Sequence, residues 1–131
     1  HEGITREILG AFFTVYNTLG YGFLEQVYAN ALSLELRNRW MRVAREVPVE
    51  VQYKGQPVGA YRLDMLVNDL VVVEIKAGAA MVSADQKQLF NYLRAAKASV
   101  GLLLHFGPKP ELKRLALESA SAISASSDPS A

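Results

Sequence analysis

Asp64, Glu74 and Lys76 are the residues whose types and spacing are best suited to chemistry. Glu74 follows three consecutive valines, Val71 to Val73, and an ionised carboxylate beside so apolar a strand is costly unless it is paired, hydrogen-bonded or bound to a cation. Side chains alternate along a strand, so Glu74 and Lys76 project from one face while Ile75 enters the other. Asp64 joins them under only one kind of register. A plain two-residue turn at Asn68-Asp69 would pair Asp64 with Val73, on the face opposite Glu74. A three-residue loop pairing Val67 with Val71 sets Asp64 across from Glu74 and Arg62 across from Lys76. An odd-length loop or a bulge is therefore expected there. The plain alternative for the trio is an exposed hairpin end with a surface Glu–Lys pair, because acids and lysines are common and the gap is loose.

Two further sets of residues bear on the same question. Gly22, Glu25 and Tyr28 sit three apart, which places them on one flank of a predicted helix beside its apolar stripe. Gln88 and Tyr92 are four apart on a later helix, with Asp85 one turn earlier. Each tyrosine also reads as amphipathic core, and Gln88 as a solvated helix position.

The elements that must position these residues follow from hydrophobic period. Ile4, Ile8, Leu9, Phe12, Val15, Tyr16 and Leu19 repeat as a helix that Gly20 would stop. A second apolar stripe from Leu24 to Leu36 marks a helix from about Phe23 to Arg39. From Val47 the period becomes two, giving a half-buried strand to the Lys54-Gly55 turn, and Pro48 argues for a sheet edge. Gly59–Val67 and Val71–Lys76 read as strands, the second covered on both faces. Ser83–Ala96 reads as a helix, Val100–His105 as a buried strand, and Glu111 to about Glu118 as a last helix. The order is helix, helix, three strands, helix, strand, helix. The class is α/β with a mixed central β-sheet flanked by helices. One domain is expected over residues 1–118, and the small, polar, repetitive stretch 119–131 reads as a disordered tail.

Composition narrows the chemistry further. The absence of cysteine among 131 residues excludes disulfides, thiolate catalysis and cysteine-held metals. His1 and His105 are the only imidazoles, so any metal chemistry would use oxygen ligands. No apolar run suits a membrane span and no basic-then-apolar leader is present, which reads as a cytoplasmic protein with no membrane partner. The chain starts at His1, so a preceding stretch is allowed for. Fourteen Lys+Arg against thirteen Asp+Glu give a net +1, so local clustering matters more than the sum. Arg37, Arg39, Arg42 and Arg45 form one such cluster, either complementing the dipole of a helix end or contacting phosphate.

Gly22-Phe23-Leu24-Glu25-Gln26-Val27-Tyr28 spells the G-x-x-E-x-x-Y motif. With the runs Val15–Glu25, Pro48–Gly55, Val73–Ala77, Gln88–Leu93 and Gly101–Gly107, it resembles the GxxExxY proteins over about residues 4–115. These are grouped with PD-(D/E)xK nucleases. The resemblance implies a restriction-endonuclease-like core and a metal-dependent nuclease hydrolysing phosphodiester bonds in DNA or RNA. It implies that Asp64, Glu74 and the backbone carbonyl of Ile75 bind Mg²⁺ or Mn²⁺, with Glu25 reaching the metal directly or through water. Hard oxygen ligands suit those ions. Lys76 would orient or activate the attacking water, and Gln88 and Tyr92 would help to position Lys76 and the strand. Two positions depart from the pattern: Leu63 precedes Asp64 where many relatives have proline, and His105 replaces the usual asparagine and is expected to pack. The other readings are a nucleic-acid-binding or protein-interaction module of the same fold without turnover, and hydrolysis of a small phosphate-containing molecule. So small and nearly neutral a core would need a homodimer, a partner or a disordered arm to hold a duplex.

Overall fold

The computed structural model describes residues 1–117. Helices α1 (Glu2–Leu19) and α2 (Glu25–Asn38) precede strands β1 (Val43–Tyr53), β2 (Gln56–Val67) and β3 (Val71–Ala77). Helix α3 (Ser83–Ala96) then leads to β4 (Val100–Phe106) and β5 (Pro110–Ala116). The five strands lie in the order β1-β2-β3-β4-β5, antiparallel except for the parallel β3–β4 pair that α3 connects. This is the expected mixed sheet, with Pro48 on an edge strand as its missing N–H requires. No helix among the described residues is long and apolar enough to cross a membrane.

Two apolar cores sandwich the sheet. Val71, Val73, Ile75, Leu102, Leu104 and Phe106 pack under α1 and α2 against Ile8, Phe12, Tyr28 and Leu32. Val72 and Leu103 point the other way and meet Leu89 and Leu93 of α3. Gly101 lets α3 sit close on β4, because a Cβ there would lie 2.9 Å from Leu93 Cδ2 and 3.0 Å from Leu89 Cδ1. The β3 and β4 strands, covered on both faces, are the near-continuous aliphatic runs that parallel pairing demands.

The predicted last helix is a strand. Leu112 and Leu115, three apart, would share a helical face, but an odd spacing in a strand sends them to opposite faces. Leu112 joins the core under α1 and α2, and Leu115 joins the core under α3. Both leucines are thus partly buried, and β5 pairs the otherwise open backbone edge of the buried strand β4. The region 119–131, expected as a tail, lies outside the described residues, as does Glu118.

The register between β2 and β3 is the one that gathers the acids. Val67 pairs with Val71, Leu66 with Val72 and Met65 with Val73, around the three-residue loop Asn68-Asp69-Leu70. Asn68 and Asp69 both take positive φ, 52° and 58°, a conformation their short polar side chains tolerate. Beyond Met65 the pairing to β3 stops while β1 and β2 continue together. At the same point both strands exchange faces. Val43, Met65 and Val67 pack toward α1 and α2, whereas Val47, Val49, Tyr61 and Leu63 pack toward α3. Glu46, at φ 50°, marks the turnover on β1, and Asp64 lies opposite it in the same register on β2. The outer half of the hairpin therefore rolls away from β3 and over α3.

Candidate functional site

The departure of β2 leaves the edge of β3 without backbone partners beyond Val73, and carboxylates fill the gap. The Ile75 N–H donates to Asp64 Oδ2 at 2.7 Å, and the Asp64 N–H donates to Glu74 Oε2 at 2.8 Å. Two residues further on, the Ala77 N–H donates to Glu25 Oε2 at 3.2 Å. Each acid thus accepts a main-chain donor that a longer ladder would have used. Glu25 opens α2, where its charge also suits the helix dipole.

The electrostatics are those of negative charge held out of water. Glu74 is 5% exposed, and burial, reinforced by the charge of Asp64, pushes its carboxyl up to about 8 from an ordinary 4.5. The Asp64 N–H and the charge of Lys76 pull the other way without prevailing. Burial also raises Asp64, against the Ile75 N–H and Lys76. The salt bridges among the described residues include neither acid. Lys76, two residues after Glu74 on the same strand face, acts on the pair through its field rather than by direct contact.

The aromatic wall of the site comes from α3 and the rolled hairpin. Tyr92 stacks on Tyr61 with ring centroids 3.9 Å apart and planes 19° apart. Burial raises the Tyr92 phenol, and the nearby charges of Glu74 and Asp64 add to it. Burial likewise carries Tyr61 to about 12, with Tyr92 and Glu74 contributing. Gln88 lies one helical turn before Tyr92, is exposed, and has no side-chain hydrogen bond among the described residues. The structure therefore brings Asp64, Glu74, Lys76, Glu25 and Tyr92 toward one end of β3 and leaves Gln88 at the rim. Among the described residues no three acidic or imidazole side chains form a ready-made cation cage.

Other expectations resolve differently. Gly22 precedes α2 instead of sharing its flank, with φ at 117°. Tyr28 is fully buried, stacked on Phe106 at 4.1 Å, and its hydroxyl donates to the Gly20 carbonyl and accepts the Phe23 N–H. The motif thus places Tyr28 behind the loop that leads into Glu25, bracing it. The arginine cluster disperses: Arg39 pairs with Glu35 at 2.9 Å and Glu7 at 3.3 Å, Arg42 with Asp69, and Arg37 donates to the Val43 carbonyl. Arg45 donates to Asn30 and its charge also reaches Asp64. His105 is buried opposite Lys76 in the parallel register, 3.7 Å from Glu111, in the space that Gly107 leaves. Sequence reasoning missed Tyr61, whose only signal is an aromatic residue on the strand carrying Asp64. It also missed a cleft of about 430 Å³ lined by Tyr21, Gly22, Phe23, Leu24, Glu25, Ala77 and Gly78.

A mixed five-stranded sheet flanked by helices, with acids converging where an antiparallel hairpin diverges from a central strand, is consistent with a restriction-endonuclease-like fold. Residues 2–115 match the PD-(D/E)XK nuclease superfamily, and the chain belongs to it. Among solved structures, the chain is similar to the crystal structure of SSO0001, at 20% identity and a TM-score of 0.56 over 75% of this chain. The chain spans 52% of that protein's length, and the likeness supports the fold alone. No curated protein matches the chain.

Proposed function

We propose that the chain is a metal-dependent nuclease that hydrolyses phosphodiester bonds in DNA or RNA, and that it is of the GxxExxY kind. The observation that carries this reading is the reciprocal engagement of Asp64 and Glu74 across the β2–β3 divergence, with Lys76 on the same face. A buried acid and a half-buried one, satisfied by backbone N–H groups and joined by no salt bridge among the described residues, are a donor set short of positive charge, and a divalent cation suits it. Asp64, Glu74, the Ile75 carbonyl and Glu25 would hold Mg²⁺ or Mn²⁺. Alternation turns that carbonyl to the same strand edge as the Ile75 N–H, toward the acids. Such an ion supplies Lewis-acid polarisation of a phosphoryl oxygen and eases deprotonation of the attacking water.

The protein's own groups do the rest. Lys76 orients the water and offsets charge that develops on the phosphoryl oxygens in the transition state. Tyr92, fixed by its stack on Tyr61, borders the acids, and Gln88 at the rim contacts the strand. Hydrolysis in this arrangement leaves 5′-phosphate and 3′-hydroxyl ends. A second reading, a binding module without turnover, draws on the lack of a preformed cation cage among the described residues. One assay separates the two: Mg²⁺- and Mn²⁺-dependent cleavage of a panel of single- and double-stranded DNA and RNA. Cleavage by the native chain that Glu74→Ala and Lys76→Ala each reduce by about 100-fold or more is expected. Binding without cleavage would establish the module instead.

A further inference from the structure

The loop from Gly20 to Leu24 is held in a shape that displays apolar side chains. Gly20 and Gly22 take φ of 72° and 117°, and a Cβ at either would meet nothing within 4 Å. Glycine is therefore required there by conformation, not by space. The Tyr28 hydroxyl ties both ends of the bend, through the Gly20 carbonyl and the Phe23 N–H. Between these ties Tyr21 is 49% exposed, Phe23 47% and Leu24 78%. The buried tyrosine, against which the Phe23 ring also packs edge-on at 6.0 Å, thus fixes a loop whose large side chains are left about half or more exposed.

These side chains line the cleft whose other wall is Glu25, Ala77 and Gly78. Glu25 is anchored there by the Ala77 N–H, at the end of the strand that carries Glu74 and Lys76. The aromatic rim and the acids are therefore two ends of one surface. Four of the arginines are engaged elsewhere: Arg39, Arg42 and Arg62 are paired with acids, and Arg45 with Asn30. Stacking of a base on an aromatic ring does not depend on which base it is, so two exposed rings beside the acids supplement whatever phosphate contacts the surface makes.

We infer that Tyr21 and Phe23 form a stacking platform for unpaired bases, so that the substrate is a single strand or a frayed end, delivered past Glu25 to the acids. A duplex keeps its base faces covered and shows only edges and phosphates, so it offers these rings nothing to stack on. An unpaired base exposes a flat face of the size and polarity the two rings match. This inference names the substrate class of the nuclease site and rests on that reading.

The test uses the full chain in two assays, with circular dichroism and melting to confirm folding. Binding of fluorescein-labelled single-stranded DNA, single-stranded RNA and duplex DNA is measured in a Glu74→Gln background, and metal-dependent cleavage of the same oligonucleotides with native Glu74. Tyr21→Ala with Phe23→Ala is expected to weaken single-strand binding by about 10- to 100-fold and to lower cleavage in parallel. Tyr21→Trp with native Phe23 should retain both. An abasic strand should bind the parent as weakly as the normal strand binds the double variant. Cleavage dependent on Glu74 but indifferent to the rim variants, or equal on duplex and single strand, would overturn the inference and leave the nuclease reading intact. Rim-dependent binding without cleavage would overturn the nuclease reading and keep the platform. Failure of the parent to bind any oligonucleotide would overturn the platform.

Discussion

The two faces of the sheet are built from the same strands to opposite ends. Under α1 and α2 every inward position of β3 and β4 is apolar, from Val71 and Val100 to Ile75 and Phe106, closed by a cluster of Phe12, Tyr28 and Phe106. Under α3 the core is shorter. After Val72 and Leu103, the next positions on that face are Glu74, Lys76 and His105. One face stabilises the fold, and the other gives up apolar contacts to hold charge at a place water scarcely reaches.

Substitutions on the two faces should separate stability from activity. Phe12→Ala, which empties a fully buried position packed edge-on to Phe106, is expected to lower unfolding free energy by about 3–5 kcal/mol in urea titrations. Glu74→Gln should abolish metal-dependent cleavage while leaving that free energy unchanged or higher, because it replaces a buried titratable carboxyl by a neutral amide of the same shape and keeps an acceptor for the Asp64 N–H. Equal destabilisation by both would mean that the polar face is structural too.

A smaller effect is expected from pH. Glu74 titrates at 4.5 when ordinary and at about 8 when folded without metal, so between those values the native state holds more proton than the unfolded state. Stability from this group is complete below pH 4.5 and is lost as pH rises through 8, on the order of a few kcal/mol. Melting temperatures of the metal-free chain should therefore fall from pH 5 to pH 8, less so in Glu74→Gln, and added Mn²⁺ should restore them at pH 8 by binding only the native state. A melting temperature that rises over this range would contradict the account of the acidic face.

The smallest effect sharpens the boundary between the faces. Tyr28→Phe keeps the ring on Phe106 but releases the Gly20–Phe23 bend, and should cost about 1 kcal/mol by thermal melting. If the rim inference holds, the same variant weakens single-strand binding although its ring lies in the structural core.

Much of this molecule was legible in the residues. Ser83–Ala96 was bounded as a helix at the residues observed, because its apolar period is strong. The β3 run was recognised as central because three valines suit burial on both faces. Even the loop was deducible, since only an odd length brings Asp64 to Glu74, and the chain uses Asn68-Asp69-Leu70. The β5 strand was misread because Leu112 and Leu115 satisfy a helical spacing equally well. What chose between the two was the open edge of β4 and a core on each side of the sheet.

The sequence by itself determined the residue types, the period of most elements and the parity that places two acids across from each other, because these depend on neighbours a few positions apart. Only the tertiary structure decided where β2 leaves β3, which donors the acids accept, that Tyr61 stacks on Tyr92, and that Tyr28 lies behind the loop carrying Tyr21 and Phe23. Those outcomes depend on the roll of a hairpin over α3 and on burial from both sides, which arise from contacts between segments distant in the chain.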